Sequence, residues 1–159
     1  VPSPRRLILI ATLVVLADQV TKSMIVSSLS DGHVIHIAWS LRLALGYNSG
    51  VAFSQGQGLG PIVGVVAIVA IALLFRAMVR ATTSLSALGL CLITSGAVGN
   101  VCDRVFRGSG WLHGRVVDFI DLQWFPAFNV ADAAITIGAG LLIIGMIAEY
   151  RSSGANEVS

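Results

Sequence analysis

FNVADAAITIGAGLLIIGMIAEY, from Phe128 to Tyr150, is the stretch whose reading decides the fold. It is apolar enough, and long enough, to cross a bilayer core, which takes about 20 residues. Yet Asp132 stands only about 6 Å from its start, at a rise of about 1.5 Å per residue. A carboxylate in or beside a bilayer is costly, and its default reading is functional.

Working outward, three further stretches can span: Leu7–Val26, Pro61–Arg80 and Ser84–Phe106. The chain of 159 residues is 55% hydrophobic and 11% charged. A soluble domain carries about 25% charged residues. The sequence therefore predicts an all-α membrane protein: four transmembrane helices with a small extracytoplasmic β-rich loop region. Residues 1–159 form a single domain, with outer loops at about 27–60 and 107–127 and a disordered tail at about 152–159. The net charge of +2 is small and dispersed, so nucleic acid is not an expected partner. Cys91 and Cys102 fall on one span, roughly 16 Å apart along a helix, too far for a disulfide. Arg5-Arg6 before an apolar run also resembles a secretory signal. No small-x-small cleavage site follows, however, and the run continues into Asp18 and Lys22.

Basic residues orient the spans. Arg5, Arg6, Arg76, Arg80 and Arg151 fall on one side, and Lys22, Arg42, Arg104, Arg107 and Arg115 on the other. The balance is even, but the link at 81–83 is very short and flanked by Arg80, and the outer bases are interleaved with acids. The positive-inside rule then puts both termini in the cytoplasm. With that threading, Asp18, Lys22, Asn100, Asp103, Arg104, Asp118, Asn129 and Asp132 all reach the outer face. Asp118 falls in the outer loop before the last span. Period-two alternation over His33–Leu45 predicts short surface strands. Trp111, Trp124 and Phe125 suit an interfacial aromatic belt.

Five strings stand out: Asp18-Gln-Val-Thr-Lys22, Asn48-Ser-Gly-Val-Ala-Phe53, Gly99-Asn-Val-Cys-Asp-Arg104, Val117-Asp-Phe-Ile-Asp121 and Phe128-Asn-Val-Ala-Asp132. In this order on four spans, the chain resembles the bacterial signal peptidase II family, the lipoprotein signal peptidases. The resemblance runs from the first span through the fourth. It implies an aspartyl endopeptidase of the bacterial cytoplasmic membrane that removes signal peptides from prolipoproteins, cutting before a diacylglyceryl-modified cysteine. It implies a catalytic pair at Asp118 and Asp132, with Asp18, Lys22, Asn48, Gly50, Asn100, Asp103, Arg104, Asn129 and Ala131 binding substrate or supporting the site. Its partners would be prolipoproteins and membrane lipids, with no cofactor, no metal, and a monomeric enzyme. One departure is the link from Arg104 to Gly114, which is longer than the family's usual spacing around Arg107–His113.

The chemistry also stands without the family. Peptide hydrolysis by two carboxylates needs one ionised and one protonated. Such a pair titrates as a unit, so neither aspartate is assigned the base. Each string also has a plainer reading. Asn129 and Asp132 suit a helix cap. Asp18 and Lys22, four apart, can simply neutralise each other. Asp103-Arg104 can anchor a helix end by snorkelling, and Asn48-Ser49-Gly50 can be a turn. His33, His36 and His113 match no metal motif, and Ser49 lies in no nucleophile elbow. A small proton-coupled transporter is the competing function, although transporter sites favour the bilayer midplane. A non-catalytic membrane assembly factor is a third.

Overall fold

The computed structural model describes residues 1–49 and 60–156. Four helices form: α1 (Pro4–Leu29), α2 (Gly60–Val79), α3 (Ser84–Phe106) and α4 (Val130–Asn156). All four are long and apolar enough to cross a membrane. Three strands, β1 (Ile35–Ala38), β2 (Leu41–Asn48) and β3 (Val116–Asp121), make one antiparallel sheet in the order β1-β2-β3.

The helix ends follow local chemistry. Helix α1 starts at Pro4, where a missing backbone N–H costs nothing in the first turn. Helix α3 starts after Thr83, whose hydroxyl accepts from Ser86 N at 3.3 Å. Glu149 of α4 accepts from Thr83 Oγ1 at 2.8 Å and Ser86 Oγ at 3.1 Å, tying the short link between α2 and α3 to the far end of α4. Helix α4 continues to Asn156, past Ser152, where the sequence places the start of the tail. The sequence Arg151-Ser-Ser-Gly-Ala-Asn156 holds no proline to stop it. Residues 157–159 lie outside the described residues.

Helix α3 is the hub, packing against α1, α2 and α4. Half of its most apolar window is buried (50%), against 6% for α2. Its tightest seam is with α4. A Cβ on Gly89 would lie 2.6 Å from Gly138 O, and one on Gly138 would lie 2.6 Å from Gly89 O. Only small residues allow backbones to approach so closely. Helix α2, by contrast, packs against α3 alone among the described helices and strands. Its lipid-facing side carries Val66, Val69, Leu73 and Phe75, all exposed.

The sheet caps one end of the bundle. Phe119 of β3 packs on Ile25 and Leu29 at the end of α1, with Leu43 and Leu45 of β2 beside them. The alternation over His33–Leu45 does form strands, β1 and most of β2. The reading of Asp118 as a loop residue is corrected, because Asp118 sits in β3. The run Val116-Val-Asp-Phe119 is buried at every position and shows no alternation. Its strand identity comes from pairing with distant β2, where Gly46 stands opposite Asp118 and Arg42 opposite Asp121. Arg42 Nη2 closes on Asp121 Oδ2 at 2.7 Å.

Candidate active site

The site is built on a buried cation. Lys22 is fully buried and spends its three ammonium donors on three partners. Asp18 Oδ2 and Asp103 Oδ2 each lie at 2.8 Å, and Asn100 Oδ1 at 3.0 Å. The Asp18–Lys22 pair is therefore more than local neutralisation along α1, since Lys22 reaches across to α3.

Each acid then reaches onward. Asp18 Oδ1 accepts from Ala131 N at 2.9 Å in the first turn of α4. Asp103 Oδ2 accepts from Val117 N at 3.1 Å, fixing β3 beside α3. Asp103 Oδ1 accepts from Arg107 Nε at 2.9 Å and Gln19 Nε2 at 3.1 Å. One ionic cluster thus sets the relative positions of α1, α3, β3 and α4. A buried pair of charges is tolerable only when its remaining donors and acceptors are satisfied, as they are here.

The next layer is amide chemistry. Asn129, fully buried, donates from Nδ2 to Asp118 Oδ1 at 2.7 Å and to Val117 O at 3.2 Å. Its Oδ1 accepts from Asp132 N at 2.9 Å, while its own N donates to Asp132 Oδ2 at 3.1 Å. This reciprocal pairing is a capping box, so the helix-cap reading of Asn129 and Asp132 holds. It also aims Asp132 at the site. Asn100 Nδ2 donates to Asp132 Oδ1 at 2.9 Å, and Asn48 Nδ2 donates to Asp118 Oδ2 at 3.1 Å. Both carboxylates are therefore held by amides on both oxygens, and Asn129 touches the two of them.

Asp118 is 5% exposed, and burial raises its pKa above the ordinary carboxylate value. The hydrogen bond from Asn48 opposes that rise, the neighbouring Asp132 charge adds to it, and the hydrogen bond from Asn129 opposes it again. Arg104, also buried, extends to Ser49 O at 3.2 Å. It ties β2's end to α3 and does not snorkel. Among the described residues no three His, Cys, Asp or Glu side chains converge as a metal site.

Beside Asp132 a cavity of about 240 Å³ opens between α2 and α4. Asp132, Asn100, Arg104 and Asn48 form its polar end, and Val63, Ala67, Ala97 and Ile135 its apolar walls. It has room for an apolar side chain beside a polar group, and not for a whole helix, which is about 10–12 Å across.

Asp18, Lys22, Asn48, Asn100, Asp103, Asn129, Ala131 and both aspartates all join one network, and Arg104 borders it. Gly50 lies outside the described residues. Two participants were not singled out from the sequence, Gln19 and Arg107. Gln19 lies inside the first string, next to Asp18. Arg107 lies one helical turn after Asp103, a spacing that pairs opposite charges on a helix.

A family model described as Signal peptidase (SPase) II matches residues 10–148. The lipoprotein signal peptidase of Mycobacterium leprae (strain Br4923) is 40% identical over 145 residues, covering 89% of this chain and 72% of that protein. That of Rhodococcus jostii (strain RHA1) is 37% identical over 156 residues, covering 96% and 79%. Two bacterial membrane enzymes solved by the in meso method are also similar. One, at 2.3 Å resolution, superposes with a TM-score of 0.80 at 30% identity, covering 92% of this chain and 90% of that one. The other, at 1.9 Å, gives 0.79 at 31%, covering 90% and 93%.

Proposed function

Because this chain belongs to the signal peptidase II family, a family of membrane peptidases that process prolipoproteins, we propose that Asp118 and Asp132 are its catalytic dyad. The observation that carries this is Asn129, which donates to Asp118 while capping α4 through Asp132. It ties a strand carboxylate to the helix carboxylate that lines the polar end of the cavity.

Hydrolysis then follows from shared protonation. Two nearby carboxyls in a poorly solvated site do not both ionise. The ionised one takes a proton from water as the water attacks the scissile carbonyl carbon. The protonated one donates to the carbonyl oxygen and helps the amine leave with a proton. The dyad as a whole holds one proton at the start and one at the end. Asn48, Asn100 and Asn129 keep both carboxylates oriented through this exchange, and the Lys22 cluster holds the elements that carry them.

The substrate is a prolipoprotein whose signal segment seats a side chain in the cavity between α2 and α4. The cut falls just before a diacylglyceryl-modified cysteine at the sheet end. Arg5, Arg6, Arg76, Arg80 and Arg151 sit at helix ends away from the dyad, which supports cytoplasmic termini in a bacterial inner membrane. The test is cleavage of a purified diacylglyceryl-modified prolipoprotein, with the product's mass measured. The expected product begins at the modified cysteine. An uncut substrate, or a cut elsewhere, overturns this reading.

A pH effect follows from Asn48. Activity on the alkaline side ends when the dyad loses its last proton. Asn48 stabilises ionised Asp118, so Asn48→Ala makes that loss harder. The alkaline limb of kcat/KM against pH should move upward by about one unit. A downward shift would show that Asn48 does not serve the carboxylate. The same raised pKa bears on folding. The native state holds the Asp118 proton more tightly than the unfolded chain. Its contribution to stability is therefore full below the ordinary carboxylate pKa, and it falls as pH rises toward the raised value.

A further inference from the structure

Helix α2 forms the lipid-side wall of the cavity, yet among the described helices and strands it packs only on α3. One of its residues, Gly64, is buried. What covers Gly64 is Leu112, from the link between α3 and β3. A Cβ on Gly64 would lie 2.9 Å from Leu112 Cδ2 and 3.0 Å from Leu112 Cβ, and a Cβ on Gly60 would lie 3.4 Å from Leu112 O. Gly60 and Gly64, one turn apart, thus form a saddle in which Leu112 sits. Leu112 is fully buried, and its φ of 59° is a left-handed conformation that leucine adopts at a cost. The surrounding link over-determines it. Arg107 N donates to Asp103 O at 2.9 Å, Gly114 N to Arg104 O at 2.9 Å, and His113 N to Gly110 O at 3.1 Å. The link is therefore fixed to the end of α3, and Leu112 is its one fully buried side chain. A strained backbone held in place by its surroundings is a pointer to function. The function is suggested by position, because Val63 and Ala67, which flank Gly64 on α2, line the cavity.

We propose that Leu112 is a positioning residue that sets the distance of α2 from α3 and α4, and so the side-chain size accepted in the signal helix beside the scissile bond. This rests on reading the cavity as the seat of a signal-segment side chain beside the scissile bond. A smaller residue at 112 lets α2 settle inward and narrows the cavity. A Cβ at Gly64 pushes α2 outward and widens it. The two changes act with opposite sign, and combined they restore the spacing.

The test uses two modified prolipoproteins, with Ala or Leu three residues before the cut. The kcat and KM of each are measured for wild type, Leu112→Ala, Leu112→Met, Gly64→Ala and the Leu112→Ala/Gly64→Ala double variant. Leu112→Ala should raise the Ala-over-Leu ratio of kcat/KM about fivefold, and Gly64→Ala should lower it about fivefold, mainly through KM. The double variant should return to within about twofold of wild type, as coupled neighbours do in a double-mutant cycle. Leu112→Met, of similar volume, should keep the wild-type ratio. Unchanged ratios in the two single variants, or shifts in the same direction, overturn the proposal. Should Leu112→Ala fail to fold, Gly64→Ala decides alone, and an unmoved ratio there is equally fatal. Asp118→Asn runs in parallel. If it still cleaves, the site reading fails. If it is inert while the ratios stay put, only the role of Leu112 fails.

Discussion

Asp118→Asn and Asp132→Asn will each reduce prolipoprotein cleavage by about three orders of magnitude, the scale of a lost general acid or base. Asparagine keeps the shape and removes the titratable carboxyl, so the loss is chemical before it is structural. The hydrogen bonds refine the expectation. Both oxygens of Asp118 accept from amides, Asn129 on one and Asn48 on the other. An amide at 118 turns one of these contacts into donor facing donor. At 132 the conflict falls on Asn100 or on the backbone N–H of Asn129. Asp132→Asn therefore also weakens the cap of α4, at about 1 kcal/mol. Turnover of the modified prolipoprotein, with thermal unfolding of each variant in detergent, separates the two effects. Either variant retaining cleavage within tenfold of wild type removes that aspartate from the dyad.

Lys22→Met will be the most destabilising single change in the molecule. It leaves Asp18 and Asp103, both fully buried, facing each other without their shared cation. Breaking a buried ion pair from one side costs about 3–5 kcal/mol. Activity falls as well, because Asp18 positions Ala131 in the first turn of α4 and Asp103 positions Val117 in β3. Arg107→Ala, which removes a partly exposed partner of Asp103, should cost much less. Lys22→Arg should not rescue, because a planar guanidinium does not fit three convergent acceptors arranged for an ammonium. The check is the unfolding midpoint of the three variants in one detergent. A Lys22→Met midpoint equal to wild type would show that the cluster does not hold the bundle together.

Much of this was legible in the residues. Four apolar runs marked the helices, because a bilayer demands that backbone polar groups be satisfied within each span. The polar residues inside them stood out, because their cost there is high. Threading alone brought Asp18, Asp103 and Asp132 to one level. Asp118 was located correctly in sequence and wrongly in structure, as a loop residue. Its strand exists through pairing with β2, a partner some seventy positions earlier that no local window contains. Gln19 and Arg107 were passed over for a related reason. Each is an ordinary polar residue until its acceptors arrive from other elements.

What the sequence by itself determined is the number and approximate places of the spans, the strands of the first outer loop, and the identity of the polar residues at one membrane face. Those features follow from transfer free energy and periodicity, which act on each segment separately. What only the tertiary structure decided is how the polar groups share hydrogen bonds. Asn129 serves two carboxylates at once, Lys22 binds two helices to each other, and Leu112 sits against the glycines of α2. Distances of this kind depend on several elements packing together, and no single segment carries them.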